Sequence, residues 1–235
     1  MTQAPTSPTE FSYDAHARTC RPDDFLGQTK RTVHGQSVGA DQIALILAQI
    51  KHLLELQSDD CLAEIACGNG YLSKDLFPCI QAYLGTDISD YMISVAQAHF
   101  QQWPAYQFKH STALAHLSEE GEPGRFTKLL CYASAQYFSD EELGELLRLA
   151  HDRFPHVSRA LFGNCPDRSK AGLFYKDQPL NEAEMDSHKT IIGKWRHPQH
   201  FMAIAQAAGW HAEIASMPPQ FSAAYYRFDA LLTRA

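Results

Sequence analysis

Two carboxylates flank a glycine turn in this chain, one unit of strand and helix apart, and that spacing suits the binding of a nucleoside. The turn is "EIACGNGYLS", residues 64 to 73: Glu64 ends an apolar run, Ala66, Cys67, Gly68, Asn69 and Gly70 make the bend, and apolar residues resume after it. Glycine reaches left-handed backbone conformations without steric cost and lets a ligand press against the main chain. Asp87 closes the next apolar run, "AYLGTD", at the distance where a carboxylate can meet ribose hydroxyls. A dinucleotide fingerprint requires G-x-G-x-x-G. Ala66 stands in place of its first glycine, and counting from Gly68 the third position is Ser73. A Glu64 carboxylate beside the bend is awkward for a pyrophosphate but attracts an ammonium or sulfonium cation. A plain strand-to-helix turn and a helix-starting Asp87 would account for the same residues with no ligand at all.

The elements that must hold these residues read as repeated strand–helix units. Residues 41 to 56 put Ile43, Ile46, Leu47, Ile50, Leu53 and Leu54 on one helical face. Short apolar runs at 61–66, 82–87, 105–110, 125–133 and 158–163 predict strands, with helical segments from Gly70 and from Ser89 between them. Ser139 and Glu142 form a capping-box pattern that fixes the start of the next helix. Pro198 fits the first turn of a helix that Gly209 stops. The runs 210–217 and 224–234 then predict two successive strands paired antiparallel. Such an order implies a sheet covered on both faces, with a crevice at the carboxyl ends of its strands. Residues 163–196 fit no element, and a loop that long is usually a lid or a binding segment.

Four stretches, "EIACGNG", "LGTDISDYMISVAQ", "FTKLLCYASAQYF" and "AAGWHAEIASMP…YYRFDALL", resemble the class I S-adenosylmethionine-dependent methyltransferases of small-molecule type, from about Asp41 onward. The resemblance implies an α/β, Rossmann-like, seven-stranded mixed sheet of order 3-2-1-4-5-7-6, strand 7 antiparallel, with helices on both faces. Residues 1–40 would be a leader and N-terminal lid, and 41–235 the methyltransferase domain, with a lid insertion at 163–196 after strand 5. The implied cofactor is S-adenosyl-L-methionine, with S-adenosyl-L-homocysteine as product. Ala66, Cys67, Gly68, Asn69 and Gly70 would back its methionine part, Glu64 would hold its amino group, and Asp87 would bind both ribose hydroxyls. Ile88 and Met92 would pack on adenine. Ser111, Thr112 and Ala113 stand where the family usually has an acidic residue for the adenine amino group, and Tyr132 lies close by. Lys30 and Arg31, near His34, would bind the cofactor carboxylate or an anionic acceptor.

Ser134, Gln136 and Tyr137, beyond strand 4, with Asn164, Arg168, Tyr175 and Trp195 from the long segment, would bind the acceptor. His16, His188 and Tyr13 are the candidates for a proton-accepting group. A formal charge of −7 over 235 residues argues against a broad nucleic-acid-binding face. Twelve histidines and six cysteines show no metal-ligand spacing, so no metal is expected. No apolar run approaches the roughly 18–20 residues of a membrane span, and "MTQAPTSPTE" reads as a disordered leader rather than a secretory signal. The expectation is a cytoplasmic monomer or homodimer that methylates oxygen or nitrogen of a small polar or saccharide-type acceptor in biosynthesis. Two other readings are a non-catalytic S-adenosylmethionine-binding partner or sensor, which would lack an acceptor cavity, and a nicotinamide-dependent oxidoreductase, which Ala66, Ser73 and Glu64 disfavour.

Overall fold

Seven strands carry the site: β1 (Cys61–Ile65), β2 (Ala82–Asp87), β3 (Tyr106–His110), β4 (Lys128–Tyr132), β5 (Arg159–Pro166), β6 (His211–Ala215) and β7 (Arg227–Thr233). They lie in the order β3-β2-β1-β4-β5-β7-β6 in the computed structural model, which describes residues 10–33, 36–176 and 178–234. Strand β7 runs antiparallel to both β5 and β6, and the other neighbouring pairs are parallel. This is the order the resemblance implies. The expected leader falls largely on residues 1–9, outside the described residues, as does His34.

Strand parity splits the core between the two faces. Leu129 and Cys131 of β4 join Leu143, Leu146 and Leu147 of α6 (Asp140–Arg153) and Phe201 of α9 (Pro198–Ala207). Leu130 and Tyr132 point the other way, to Ile43, Ile46, Ile50 and Leu54 of α3 (Ala40–Leu54). Helix α6 starts at the expected capping box, with both reciprocal hydrogen bonds between Ser139 and Glu142 formed. Helix α4 (Asp90–His99) is capped by Ser89, whose hydroxyl accepts the Met92 N–H.

Three expectations about elements change. The helix expected from Gly70 is a 3-10 helix, Ser73–Cys79, with Pro78 inside it; proline has no N–H for an α-helical bond. Strand β5 runs on to Pro166 through a bulge between Phe162 and Cys165. Strand β6 ends at Ala215 and β7 begins at Arg227, so the connection, residues 216–226, is longer than the expected 218–223. The unassigned segment contains α7 (Ala171–Tyr175) and α8 (Glu182–Asp186), and before α3 come α1 (Tyr13–Thr19) and α2 (Phe25–Gln28). Among the described residues, no helix is long and apolar enough to cross a membrane, and no group of three metal-ligating side chains occurs.

Candidate active site

Backbone strain gathers at the carboxyl ends of two neighbouring strands and in the bulge of a third. Ala66 follows β1 with φ +55°, Ala133 follows β4 with +59°, and Asn164 sits in the β5 bulge with +60°. Left-handed conformation costs a residue with a side chain about 1–2 kcal/mol. All three residues line one cavity of about 1890 Å³ at the carboxyl edge of the sheet. Strain concentrated at a crevice marks a site held in place by its surroundings.

The β1–β2 side of this cavity contains Cys67, Gly68, Asp87, Ile88, Met92, Ser111, Thr112 and Ala113. Gly68 has φ +61°, and a Cβ there would meet Thr29 Cγ2 at 3.3 Å. Asp87 Oδ2 accepts the Gly68 N–H and Oδ1 the Ser89 N–H, each at 2.8 Å. Burial pushes the Asp87 carboxyl up, against the pull of those two donors. Ile88 is 71% exposed, an apolar side chain presented to the cavity instead of the core. Thr112 accepts the Ala115 N–H and so starts α5 (Ala113–Glu119).

Opposite stand Tyr132, Ser134, Gln136, Tyr137, Asn164 and Tyr175, with Lys30, Arg31, Tyr13 and His188 from the flanking segments. Tyr132 Oη, Gln136 Oε1 and Asn164 Oδ1 are buried with no hydrogen-bond partner among the described residues. The Tyr13 and Tyr137 hydroxyls meet at 2.7 Å, and Tyr137 donates to Ile191 O at 2.8 Å. Burial raises the pKa of both tyrosines, which keeps them as phenols. Tyr13 therefore joins the site as a neutral hydroxyl.

Six expected site residues do not line the cavity. Glu64 is buried in the sheet, where Oε2 accepts the Tyr83 hydroxyl at 2.6 Å and the Ser73 hydroxyl. Asn69 donates to Phe25 O at 2.9 Å and Gln28 Oε1 at 2.8 Å, anchoring α2 on the turn. Gly70 makes room for a ring: a Cβ there would lie 2.6 Å from Phe108. Arg168 pairs with Glu182 and Asp186 of α8. Trp195 is buried against Phe174, Tyr175 and Tyr226. His16 Nε2 meets Gly27 O at 3.0 Å and joins α1 to α2.

Burial pushes the Glu64 carboxyl from 4.5 up to about 7, despite the Ser73 and Tyr83 hydroxyls. It is therefore a weak source of attraction for a cation. Because the folded value lies above the unfolded one, its contribution to stability is full below pH 4.5 and is lost as pH rises through about 7. The loss is about 3 kcal/mol, at 1.36 kcal/mol per unit. Glu64→Gln keeps an acceptor oxygen and removes the titration, so its urea midpoint is expected to vary much less than wild type's between pH 5 and 8. Equal pH slopes in the two proteins would rule this out.

Arg227, at the start of β7, lines the cavity unanticipated. Its one signal in the sequence is a cation opening a mostly apolar strand.

Residues 63–153, from β1 to the end of α6, match a family model described as a methyltransferase domain. None of the curated proteins matches the chain in sequence. Among solved structures, it resembles the cyclopropane synthase MmaA2 from Mycobacterium tuberculosis with 13% identity and a TM-score of 0.68, covering 94% of this chain and 97% of that one. It also resembles magnesium protoporphyrin IX methyltransferase from Synechocystis PCC 6803 with bound SAH (16% identity, TM-score 0.58, 83% of each chain). A third likeness is to an S-adenosylmethionine-dependent methyltransferase from Clostridium acetobutylicum (13% identity, TM-score 0.60, 84% of this chain and 93% of that one). At these identities the likeness is one of fold. The match to a methyltransferase domain thus spans residues 63–153, on a sheet of the strand order that the resemblance to S-adenosylmethionine-dependent methyltransferases implies.

Proposed function

We propose that the protein methylates oxygen or nitrogen of a small polar metabolite, the saccharide type included, in biosynthesis. The observation that carries this reading is the size of the cavity. Pockets for one small ligand are roughly 300–1,000 Å³, whereas this one is about 1890 Å³, which leaves room for a nucleoside and a second molecule. A cofactor-binding sensor has no need of the second space. The described residues of 10–40 and 163–196 meet over the sheet edge, where the Phe11 N–H donates to Lys189 O at 2.8 Å, and together act as a lid. The net charge of −7 favours a small acceptor over a nucleic acid.

The residues present fit the cofactor. Gly68 leaves its backbone open to the cavity where a Cβ would intrude, and Asp87 retains a free lone pair on each oxygen for ribose hydroxyls. Ile88 offers an apolar face to adenine, with Met92 beneath and Ser111, Thr112 and Ala113 at its edge. Arg31, whose guanidinium lies 5.6 Å from the Tyr132 ring centroid, suits the carboxylate of the methionine tail. Bound S-adenosylmethionine supplies an electrophilic methyl group on a sulfonium. The protein aligns the acceptor and excludes water. Among the described residues that line the cavity, His188 is the one imidazole, and we assign it the removal of the acceptor proton.

Saturating S-adenosylhomocysteine should raise the melting temperature by roughly 5–10 °C, from about 2.7 kcal/mol of linkage at 100 Kd. Transfer of labelled methyl should then appear with small hydroxy or amino compounds and not with RNA or DNA. His188→Asn is expected to lower turnover by about 100-fold with the thermal shift intact. No shift would refute the cofactor site, and transfer to nucleic acid alone would refute the small acceptor.

A further inference from the structure

The part of the cavity served by β7 holds a cation with no counter-charge among the described residues. Arg227 is only 9% exposed, and it forms no ion pair among the described residues. Its one side-chain hydrogen bond runs from Nη1 to Asn164 O at 2.6 Å, and its guanidinium lies 4.8 Å from the Tyr226 ring centroid. A guanidinium has five N–H donors in a planar fork; beside the Asn164 carbonyl only the Tyr226 phenol offers a polar contact, so among the described residues most of the fork has no acceptor and no opposite charge. Charges this deeply buried are rarely left unpaired.

Asp229, two residues along β7, does not neutralise it. Asp229 Oδ1 accepts the Asn164 N–H at 2.7 Å, and Oδ2 accepts Gln49 Nε2 at 3.2 Å. The first of these bonds braces the β5 bulge and leaves Asn164 Oδ1 buried with no donor. The neighbouring Tyr13 and Tyr137 are neutral phenols, close enough to feel the Arg227 charge but adding none of opposite sign. An open guanidinium edge beside an acceptor oxygen that lacks a donor matches a carboxylate with a hydroxyl or amino group near it.

We infer that the methyl acceptor is a hydroxy or amino carboxylate, held by Arg227 through its carboxylate and by Asn164 through its hydroxyl or amino group. This rests on the methyl-transfer reading above. The cofactor's own tail has the same chemistry, and position separates the two. In the order β1-β4-β5-β7, the strand carrying Arg227 lies three steps from β1, about 14 Å at the usual strand spacing. Arg31 packs over Tyr132 of β4, one step from β1, and is the better placed cation for that tail.

The test uses 3-hydroxybenzoate on protein saturated with S-adenosylhomocysteine, with 3-hydroxybenzamide as the uncharged match and sodium chloride at equal ionic strength. The acid at about 20 mM should raise the melting temperature by roughly 4–7 °C and the amide by less than about 1 °C. Arg227→Met should abolish the rise while the shift caused by S-adenosylhomocysteine persists, and Arg227→Lys, which keeps the charge, should retain part of it. The inference is overturned if the acid produces no rise in wild type, or an equal rise in Arg227→Met. It is also overturned if the rise occurs with methylthioadenosine, which lacks a carboxylate, and vanishes with S-adenosylhomocysteine, since Arg227 would then serve the cofactor tail. Failure of S-adenosylhomocysteine itself to shift wild type strikes the methyl-transfer reading instead, and the acid arm is then read on protein without nucleoside. Should Arg227→Met not fold, the wild-type arms and Arg227→Lys decide.

Discussion

Asp87→Ala is expected to weaken S-adenosylhomocysteine binding by roughly 100- to 1,000-fold and to reduce methyl transfer in parallel. Two hydrogen bonds from ribose hydroxyls to a carboxylate are worth about 1.5–3 kcal/mol each, and every 1.4 kcal/mol is tenfold in affinity. The carboxylate also receives the Gly68 and Ser89 N–H groups, so alanine leaves two backbone donors facing the cavity. That second loss loosens the turn that backs the methionine part. Asp87→Asn keeps one oxygen but presents its amide to one of those N–H groups, and is expected to fall between wild type and alanine. Isothermal titration with S-adenosylhomocysteine measures all three. An alanine variant that binds within about threefold of wild type, less than 1 kcal/mol, would show that Asp87 does no more than shape the β2–α4 corner.

Arg196→Ala should cost about 3–5 kcal/mol of folding stability, because it removes the buried half of an ion pair with half-buried Asp140 and leaves two backbone carbonyls without their donor. Arg196 is 4% exposed and each guanidinium nitrogen has a partner. Its Nε donates to Asp140 Oδ1 at 2.8 Å, Nη1 to Ala135 O at 3.0 Å and Nη2 to Phe138 O at 2.6 Å. Burial alone would raise the Asp140 carboxyl, but Lys194, His200 and Arg196 together hold it well below the usual carboxylate range. Its folded value is depressed, so the stability it supplies is present above the unfolded value of 3.8 and is lost on acidification below it. Arg196→Lys keeps the charge but cannot reach three acceptors with one ammonium, and is expected to recover less than half of the loss. Urea unfolding at pH 7 and pH 4 gives both quantities. A change below about 1 kcal/mol, typical of an exposed pair, would mean the cluster contributes no more than a surface contact. Because the two carbonyls flank Gln136 and Tyr137, this cluster also sets the wall of the cavity beyond β4.

The errors in the sequence reading share a cause. Glu64 lies in a strand buried on both faces, where alternation says that neighbouring side chains diverge but not which face meets the ligand. Gly70 was assigned to the ligand, yet the ring of Phe108, 38 positions on, occupies the space. Trp195 and Arg168 lie in a segment without period, and aromatics mixed with cations there look alike whether they face a cavity or one another. The run 224–234 reads as one strand and so takes in Tyr226 and Arg227, whereas the strand begins at Arg227 and leaves that cation at its mouth.

From the sequence alone came the repeated strand–helix order, the capping box at Ser139 and the Gly68–Asp87 spacing, because each depends on residues close together in the chain. Propensity, parity and capping act over one or two turns and survive in a linear reading. Tertiary structure decided which of Glu64, Asn69 and Gly70 support the turn from behind, that Arg196 locks the β4 exit, and that Arg227 and Asn164 share one wall. Those outcomes are contacts across 9 to 63 positions, for example Glu64 with Tyr83 at a separation of 19, Asn69 with Gln28 at 41 and Arg227 with Asn164 at 63. Such pairs are chosen by close packing and by the need to satisfy every buried polar group, and neither constraint acts until the sheet has brought the strands together.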